Sequence, residues 1–391
     1  MVNLLNFYSI NNLRGNKSMK SWNKFIVVTI IIGILLLATV AIFAEEQKEL
    51  TKVRIGVPPY SMYQIFYAAK DLGIAKEFGL ELEIREFTAT LPAVQALIRD
   101  DLDISGNCIA EHLVALKGAP MVKSFSTVGF FKGFIFVGRK DKIKPISELT
   151  KEMGPEKAKE YRLNEFKGKE FAIIPQRKPL ILDAIAQVGL TADDVKFLQF
   201  ADDQKAATAF IKGSGDFYIG SLPQEERLLK MSDQFVNAGG SEVLGPGGLW
   251  YDTMVTTDKF IIGKRETALR TIAMLYRAIR LWDQDPMKIA EPAAKALGRM
   301  TGGDFPVQDY INFQTIYDDF LSIEEAKNGF YNSESPLYWK LPVEYYMKMA
   351  LEQGDLDKQI VPEEYYGESE KLFNELLGRQ DLMDLINAPF K

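Results

Sequence analysis

Apolar and polar residues alternate strictly over residues 80–87, Leu-Glu-Leu-Glu-Ile-Arg-Glu-Phe, the two-residue period of a strand with one buried face. A shorter alternation at 53–57 stops at Pro58-Pro59, and the pattern beyond it predicts a helix from Ser61 to Asp71. Thr88-Ala89-Thr90 then supplies a helix cap with Pro92 in the first turn. The rhythm continues through a strand at 102–105, a helix at 109–117 and apolar strands near 122–128 and 134–137. Strand and helix alternate, which predicts an α/β chain whose largely parallel sheet carries helices on both faces.

One element recurs. Residues 93–99, Ala-Val-Gln-Ala-Leu-Ile-Arg, align without gaps on residues 206–212, Ala-Ala-Thr-Ala-Phe-Ile-Lys, and Asp103 falls on Asp216 at the same offset of 113. In each copy a strand precedes the helix and an Asp-led strand follows it. That strand feeds a small polar loop, Gly106-Asn107-Cys108 in the first copy and Gly220-Ser221-Leu222-Pro223 in the second. The shared order predicts two similar α/β lobes. Residues 140–168, charged and punctuated by Pro145, Gly154 and Pro155, read as a surface excursion. From Asp258 onward the helical period dominates, most clearly at 267–282 and 345–351, and these helices are expected to pack back on the first lobe.

The N-terminal pattern is different in kind: residues 25–44 run for 20 positions without a charge, after Arg14, Lys17, Lys20 and Lys24 and before Glu45-Glu46. At about 1.5 Å per residue such a helix spans about 30 Å, the hydrocarbon thickness of a bilayer, and can anchor the chain. Thr39-Val40-Ala41 or Ile42-Phe43-Ala44 would serve instead as a signal-peptide cleavage site, and both readings stay open, as does Met19 as an alternative start. Either way the basic flank places residues 45–391 outside the cytoplasm. The expected division is a basic segment at 1–24, the targeting helix at 25–44, a first part of lobe 1 at 45–140, lobe 2 at 141–245, and a return to lobe 1 with C-terminal helices at 246–391.

Composition narrows the function. With 47 Lys and Arg against 53 Asp and Glu, the net charge of -6 gives no field for a phosphate backbone, so nucleic acid is not an expected partner. One cysteine, Cys108, and one histidine, His112, leave no set for a Cys/His metal site or a disulfide, and no cofactor is expected.

In open parallel sheets ligands bind beyond the carboxyl ends of the strands. That rule selects Tyr60, Ser61, Thr88, Thr90, Asn107, Cys108 and Glu111 in the first lobe and Gln176, Arg177 and Ser221 in the second, with Trp250 available for stacking. Helices starting at Ser61, Thr90 and Ile109 would aim free backbone N–H groups at the cleft. Each candidate has a structural role open beside the ligand role. Ser61 and Thr90 can cap their helices, Tyr60 and Trp250 can belong to the core, Arg177 can lie solvated on the surface, and Cys108 can be a small packing residue whose pKa would fall at that helix start if exposed.

At this point the chain resembles the periplasmic-type solute-binding proteins of the nitrate, taurine and alkanesulfonate transport class, with relatives that bind thiamine-pyrimidine precursors. The resemblance covers about residues 52–366. It is carried by Val53-Arg54-Ile55-Gly56-Val57, Tyr67-Ala68-Ala69-Lys70-Asp71-Leu72-Gly73-Ile74, Asp103-Ile104-Ser105-Gly106, Leu116-Lys117-Gly118-Ala119-Pro120, Phe166-Lys167-Gly168-Lys169, Gly215-Asp216-Phe217 and Ala350-Leu351-Glu352-Gln353-Gly354-Asp355. It implies a two-lobed type II binding-protein fold whose lobes close by a hinge on a small molecule, with crossings near 137–144 and 236–250. Residues 150–165 are longer than the family's usual link, which implies an extra helix. The implied function is capture of a polar or aromatic organic molecule, or a sulfonate-like anion, by a monomeric receptor that serves an ABC permease and its ATPase. A membrane-anchored sensor or adaptor is the alternative. An enzyme like the fungal pyrimidine-precursor synthases, which depend on a cysteine-rich cluster and an active-site histidine, would need residues this chain lacks.

Overall fold

The computed structural model describes residues 49–390 apart from 132, 241, 245–249 and 336. The targeting segment expected at 25–44 lies outside the described residues, among which no helix is long and apolar enough to cross a membrane. Eleven strands, β1 (Thr51–Val57), β2 (Leu80–Glu86), β3 (Ile104–Cys108), β4 (Val122–Phe131), β5 (Phe136–Arg139), β6 (Glu170–Ile173), β7 (Lys196–Gln199), β8 (Phe217–Tyr218), β9 (Phe235–Gly239), β10 (Trp250–Thr257) and β11 (Asp318–Phe320), build two sheets. The six-stranded sheet of lobe 1 runs β11-β4-β10-β3-β1-β2, and the five-stranded sheet of lobe 2 runs β7-β6-β8-β5-β9.

The apolar positions of β1 do what their spacing predicts: Val53, Ile55 and Val57 are fully buried. Each such side chain contributes roughly 1.5–3 kcal/mol on leaving water. The strand β3, Ile-Ser-Gly-Asn-Cys, is buried along its whole length without being apolar, because β1 and β10 pair with its two edges and satisfy its backbone. A Cβ on Gly106 would stand 2.7 Å from Pro58 Cδ and 3.0 Å from the Tyr63 ring, so glycine there lets the turn after β1 lie directly on β3.

The internal repeat is structural. In lobe 1, Ile55 of β1 pairs with Ile84 of β2 and Ile104 of β3; in lobe 2, Phe171 of β6 pairs with Phe197 of β7 and Phe217 of β8. The offset of 113 that aligns the sequences carries 84 to 197 and 104 to 217, and carries helix Thr90–Ile98 onto helix Asp203–Ile211 end to end. The two aspartates repeat their bonds as well. Asp103 Oδ2 accepts the Arg54 N–H at 2.9 Å while its own N–H donates to Arg54 O at 2.8 Å. Asp216 Oδ2 accepts the Glu170 N–H at 3.1 Å while its own N–H donates to Glu170 O at 2.8 Å.

Three expectations need correction. The sheets are mixed rather than largely parallel: β10 is antiparallel to β3 and β4, β11 to β4, and β5 to β8 and β9. The reason is topological, since β5 and β10 enter their sheets from the opposite lobe and so run away from the cleft. Because β5 already belongs to the second sheet, the chain has passed from the first sheet to the second before 136 and not at 137–144, and lobe 2 begins before 141; β9 ends in the second sheet at Gly239 and β10 starts in the first at Trp250. The excursion at 140–168 folds as two helices, Ile146–Met153 and Pro155–Glu165, with Leu149, Leu163 and Phe166 buried. The Phe166 ring packs on Phe136, Phe171 and Phe217, so this segment completes the core of lobe 2. In the C-terminal part, helices Arg265–Gln284 and Pro286–Thr301 both pack on helix Ile65–Asp71 of lobe 1.

Candidate functional site

Between the lobes lies a narrow, partly open cavity whose empty space, open solvent included, is about 400 Å³. Lobe 1 supplies Tyr60, Ser61 and Tyr63 from the turn after β1, Cys108 and Glu111 from the start of helix Ile109–Leu116, Phe131 from the end of β4, Trp250 and Asp252 from β10, and Asp318 from β11. Lobe 2 supplies Arg177, Ser221 and Pro223, and the first crossing supplies Phe134. A Cβ on Gly129 would fall 2.2 Å from Asp319 O, so glycine in β4 is what allows β11 to pair and carry Asp318 to the wall.

Among the described residues, Arg177 is the one basic residue that lines the cavity. Its guanidinium is 4% exposed and lies between two rings, 4.8 Å from the Phe134 centroid and 5.2 Å from that of Trp250. Desolvated contacts of this kind are worth on the order of 2 kcal/mol. The residue thus ties lobe 2 to the first crossing through Phe134 and to lobe 1 through Trp250 and through Glu111 Oε1 at 4.0 Å. Burial opposes its charge, but Asp203, Tyr60 and Glu111 nearby more than offset this and raise its pKa. Its Nε and Nη1 have no hydrogen-bond acceptor among the described residues.

Carboxyl groups outnumber this single cation. Burial raises Glu111 against the pull of Arg177, and raises Asp203 against Arg177 and Ser221, although neither Asp203 oxygen completes a hydrogen bond. Burial pushes Asp252 up to about 7. Tyr63 Oη faces both Asp252 Oδ1, at 3.0 Å, and Asn107 O, with one proton to give. Asp318 is driven well above the carboxylate range by burial first and by Asp252 second. Its Oδ2 accepts from Ser61 Oγ and from Gln314 Nε2 at 3.1 Å, while Oδ1 has no partner. Behind the wall, Glu225 Oε1 accepts the N–H groups of Gly220 at 3.0 Å and Ile135 at 3.3 Å, fixing the first crossing to the loop after β8.

Of the residues selected from sequence, Tyr60, Ser61, Cys108, Glu111, Arg177, Ser221 and Trp250 stand together at the cavity. The other four are placed elsewhere. Thr88 is exposed, and Gln176 lines an adjoining pocket that shares the Glu111 wall. Thr90 is buried where it favours the charged form of Glu111, and Asn107 lies behind the wall with its Oδ1 accepting the Cys108 N–H at 2.7 Å. The capping roles differ from expectation too. Ser61 and Thr90 begin their helices but do not cap them, because Ser61 Oγ is committed to Asp318 and Ala89 is the residue at the cap of the second. Cys108 is the cap of its helix, its Sγ accepting the Glu111 N–H at 3.4 Å, and burial pushes the thiol up rather than down. His112 faces away from the cavity, with Nε2 3.1 Å from Val122 O and its ring 4.7 Å from that of Tyr366. Tyr63, Phe131, Phe134, Asp252 and Asp318 escaped the sequence reading. Asp252 carried a signal all the same, a carboxylate directly after Leu249-Trp250-Tyr251, whereas Asp318 stands in an Asp-Asp pair that reads as surface.

No family model matches the sequence, and no curated protein matches it. Solved structures do resemble the fold. The alkanesulfonate-binding protein SsuA from Xanthomonas axonopodis pv. citri, bound to MOPS, superposes with a TM-score of 0.58 at 16% identity, covering 79% of this chain and 96% of that one. The periplasmic aliphatic sulphonate binding protein SsuA from Escherichia coli gives 0.59 at 15%, covering 81% and 91%. The periplasmic nitrate-binding protein NrtA from Synechocystis PCC 6803 gives 0.61 at 11%, covering 87% and 92%. The chain therefore has the two-lobed fold of periplasmic binding proteins.

Proposed function

We propose that this chain is an extracytoplasmic solute-binding protein that captures a small organic molecule between its lobes and delivers it to an ABC permease and its ATPase. The observation that carries the reading is the cavity itself, whose walls come from both lobes and the first crossing, so that a ligand within it holds the lobes together. The similarity to sulfonate- and nitrate-binding proteins supports it at the level of fold. No covalent chemistry on the ligand is proposed. Cys108, the sole thiol, is buried as a helix cap with its pKa raised, and His112 is engaged with Val122 and Tyr366 outside the cavity. The basic and apolar N-terminal segment supports export, with residues 25–44 acting as an anchor or a cleaved signal.

The test is small-angle scattering of the purified chain, stripped by mild denaturation and refolding, before and after the released small molecule is returned. The expected result is one molecule per chain and a smaller radius of gyration when bound. A chain that holds no molecule and keeps one radius under every condition would sink the receptor reading.

A further inference from the structure

We infer that the ligand is bipolar, with a protonated amine or amidine end seated on Asp252 and Asp318 in lobe 1 and an acceptor end meeting Arg177 in lobe 2. The inference rests on the receptor reading and names its substrate class. Two independent sets of unpartnered buried atoms point to it. On the lobe 1 side, Asp318 is 1% exposed and its Oδ1 has no donor among the described residues, although the residue lines the cavity. Asp252 beside it competes with Asn107 O for the single Tyr63 hydroxyl proton. On the lobe 2 side, Arg177 Nε and Nη1 lack acceptors.

The positive charge already present serves the lobe 1 corner only in part, since Arg177 opposes the rise of the Asp252 pKa but gives Asp318 Oδ1 no hydrogen bond. Arg177 is held among Phe134, Trp250, Glu111 and Asp203, and among the described residues no other lysine or arginine lines the cavity. Two dry carboxyl groups facing one another are stabilised by a cation between them and destabilised by an anion. No group of three His, Cys, Asp or Glu among the described residues is placed to hold a metal ion, whereas Tyr60, Tyr63 and Phe131 give the same cavity an organic, partly aromatic wall. A nitrogen cation on a carbon skeleton satisfies both. A ligand that bridges Asp318 to Arg177 also spans the cleft, so its binding energy is available to close the lobes. A simple sulfonate or nitrate would satisfy Arg177 and leave Asp252 and Asp318 worse off than an empty cavity.

The test has two arms. In the first, the small molecule released from the purified chain is identified by mass spectrometry; a basic nitrogen is expected. In the second, calorimetry compares 4-(aminomethyl)benzoate, benzylamine and benzoate on the full chain. Affinity should fall in that order, and Asp252→Asn and Asp318→Asn should each weaken the two amines by about tenfold or more without weakening benzoate, whose charge the lost carboxylate opposed. Circular dichroism checks that each variant is folded, and either one alone decides the matter. A released anion without a basic nitrogen, benzoate binding as tightly as the amines, amine binding untouched in both variants, or no amine binding at millimolar concentration each overturns the assignment. In the first three cases the chain still binds a ligand and the receptor reading stands; loss of all binding together with an unchanging radius removes both.

Discussion

The two lobes carry one scaffold and two chemistries. Shifted by 113 residues, helix Thr90–Ile98 becomes Asp203–Ile211, the cap Cys108 becomes the cap Ser221, and the Asp103 staple becomes that of Asp216. Shifted by 116, from Arg54 to Glu170, the turn residue Ser61 becomes Arg177. Backbone register and staples repeat, while the side chains beyond the strand ends change character: Ser61 against Arg177 at the cavity, and the buried Thr90 against Asp203 behind it. The buried aspartate between strands therefore belongs to folding, and the side chains one loop away belong to the ligand. Lobe 1 adds a second difference. Its strand β10, which stands between β3 and β4 as β5 stands between β8 and β9, and its edge strand β11, which has no counterpart in lobe 2, bring Asp252 and Asp318 to the cavity from the returning part of the chain.

The largest expected effect breaks the staple. Asp103 has a side chain 5% exposed that takes Arg54 Nε at 3.0 Å and Arg54 Nη2 at 3.1 Å besides the backbone, whereas Asp216, 23% exposed, holds the Glu170 N–H and a Lys142 ammonium 3.7 Å away. Asp103→Ala leaves the Arg54 N–H without its acceptor and the guanidinium with Asp100 alone, and should cost about 3–4 kcal/mol. Asp216→Ala should cost about 1–2 kcal/mol, a single bond to a backbone N–H. Urea unfolding of the two variants measures the difference, and equal costs would mean that the copies are not equivalent in the way the register implies.

The next effect sharpens the contrast between the acid corner of lobe 1 and its absence from the lobe 2 copy. Asp252 faces Tyr63, Glu111, Arg177 and Asp318. Its carboxyl is raised to about 7 by burial, with Glu111 adding to the rise and Tyr63 and Arg177 opposing it. The unfolded value is about 3.9, so between the two the folded state keeps a proton that the unfolded state has lost, and stability falls as pH rises through that window and levels off above it. Asp252→Asn removes the titration. The variant should be more stable than the wild type by on the order of 2–4 kcal/mol at pH 8 and by little near pH 4, read from urea midpoints across pH. A pH-independent difference would show that Asp252 is already compensated.

How much of this was legible in the chain differs between the same regions. The repeat, the βα units and Arg177 followed from hydrophobic period and from the rule that ligands gather beyond parallel strand ends, since β1, β3 and β6 do end at the cleft. The rule is silent about strands that arrive from the other lobe. The strand β10 begins at the cleft, so Trp250 and Asp252 sit at its amino end, and Asp318 stands at the start of the three-residue β11. No local period marks such residues; their place is set by a pairing partner more than a hundred positions away, as Asp252 opposite Gly129 and Asp318 opposite Phe131 show. Charged composition misled at 140–168 for a related reason. Leu149, Leu163 and Phe166 are too few to announce a core, yet they complete one already supplied by Phe136, Phe171 and Phe217.

The smallest effect separates the staple's backbone bond from the ion pairs that decorate it. Lys264 Nζ lies 3.1 Å from Asp103 Oδ1 and is 46% exposed; Lys142 Nζ lies 3.7 Å from Asp216 Oδ1 and is 54% exposed. Pairs this open to water gain little, because solvent screens the attraction and the long side chain loses freedom in holding one position. Lys264→Ala leaves Asp103 with Arg54 and should cost about 0.5–1 kcal/mol, while Lys142→Ala should cost about 0.2–0.5 kcal/mol, both shrinking as salt is added. The decisive comparison is with the aspartates themselves. If Lys142→Ala cost as much as Asp216→Ala, the lobe 2 aspartate would be acting through its lysine and the repeat would be one of sequence alone. A lysine effect several times smaller, insensitive to which copy it sits in, places the stabilisation in the carboxylate-to-backbone bond that both lobes share.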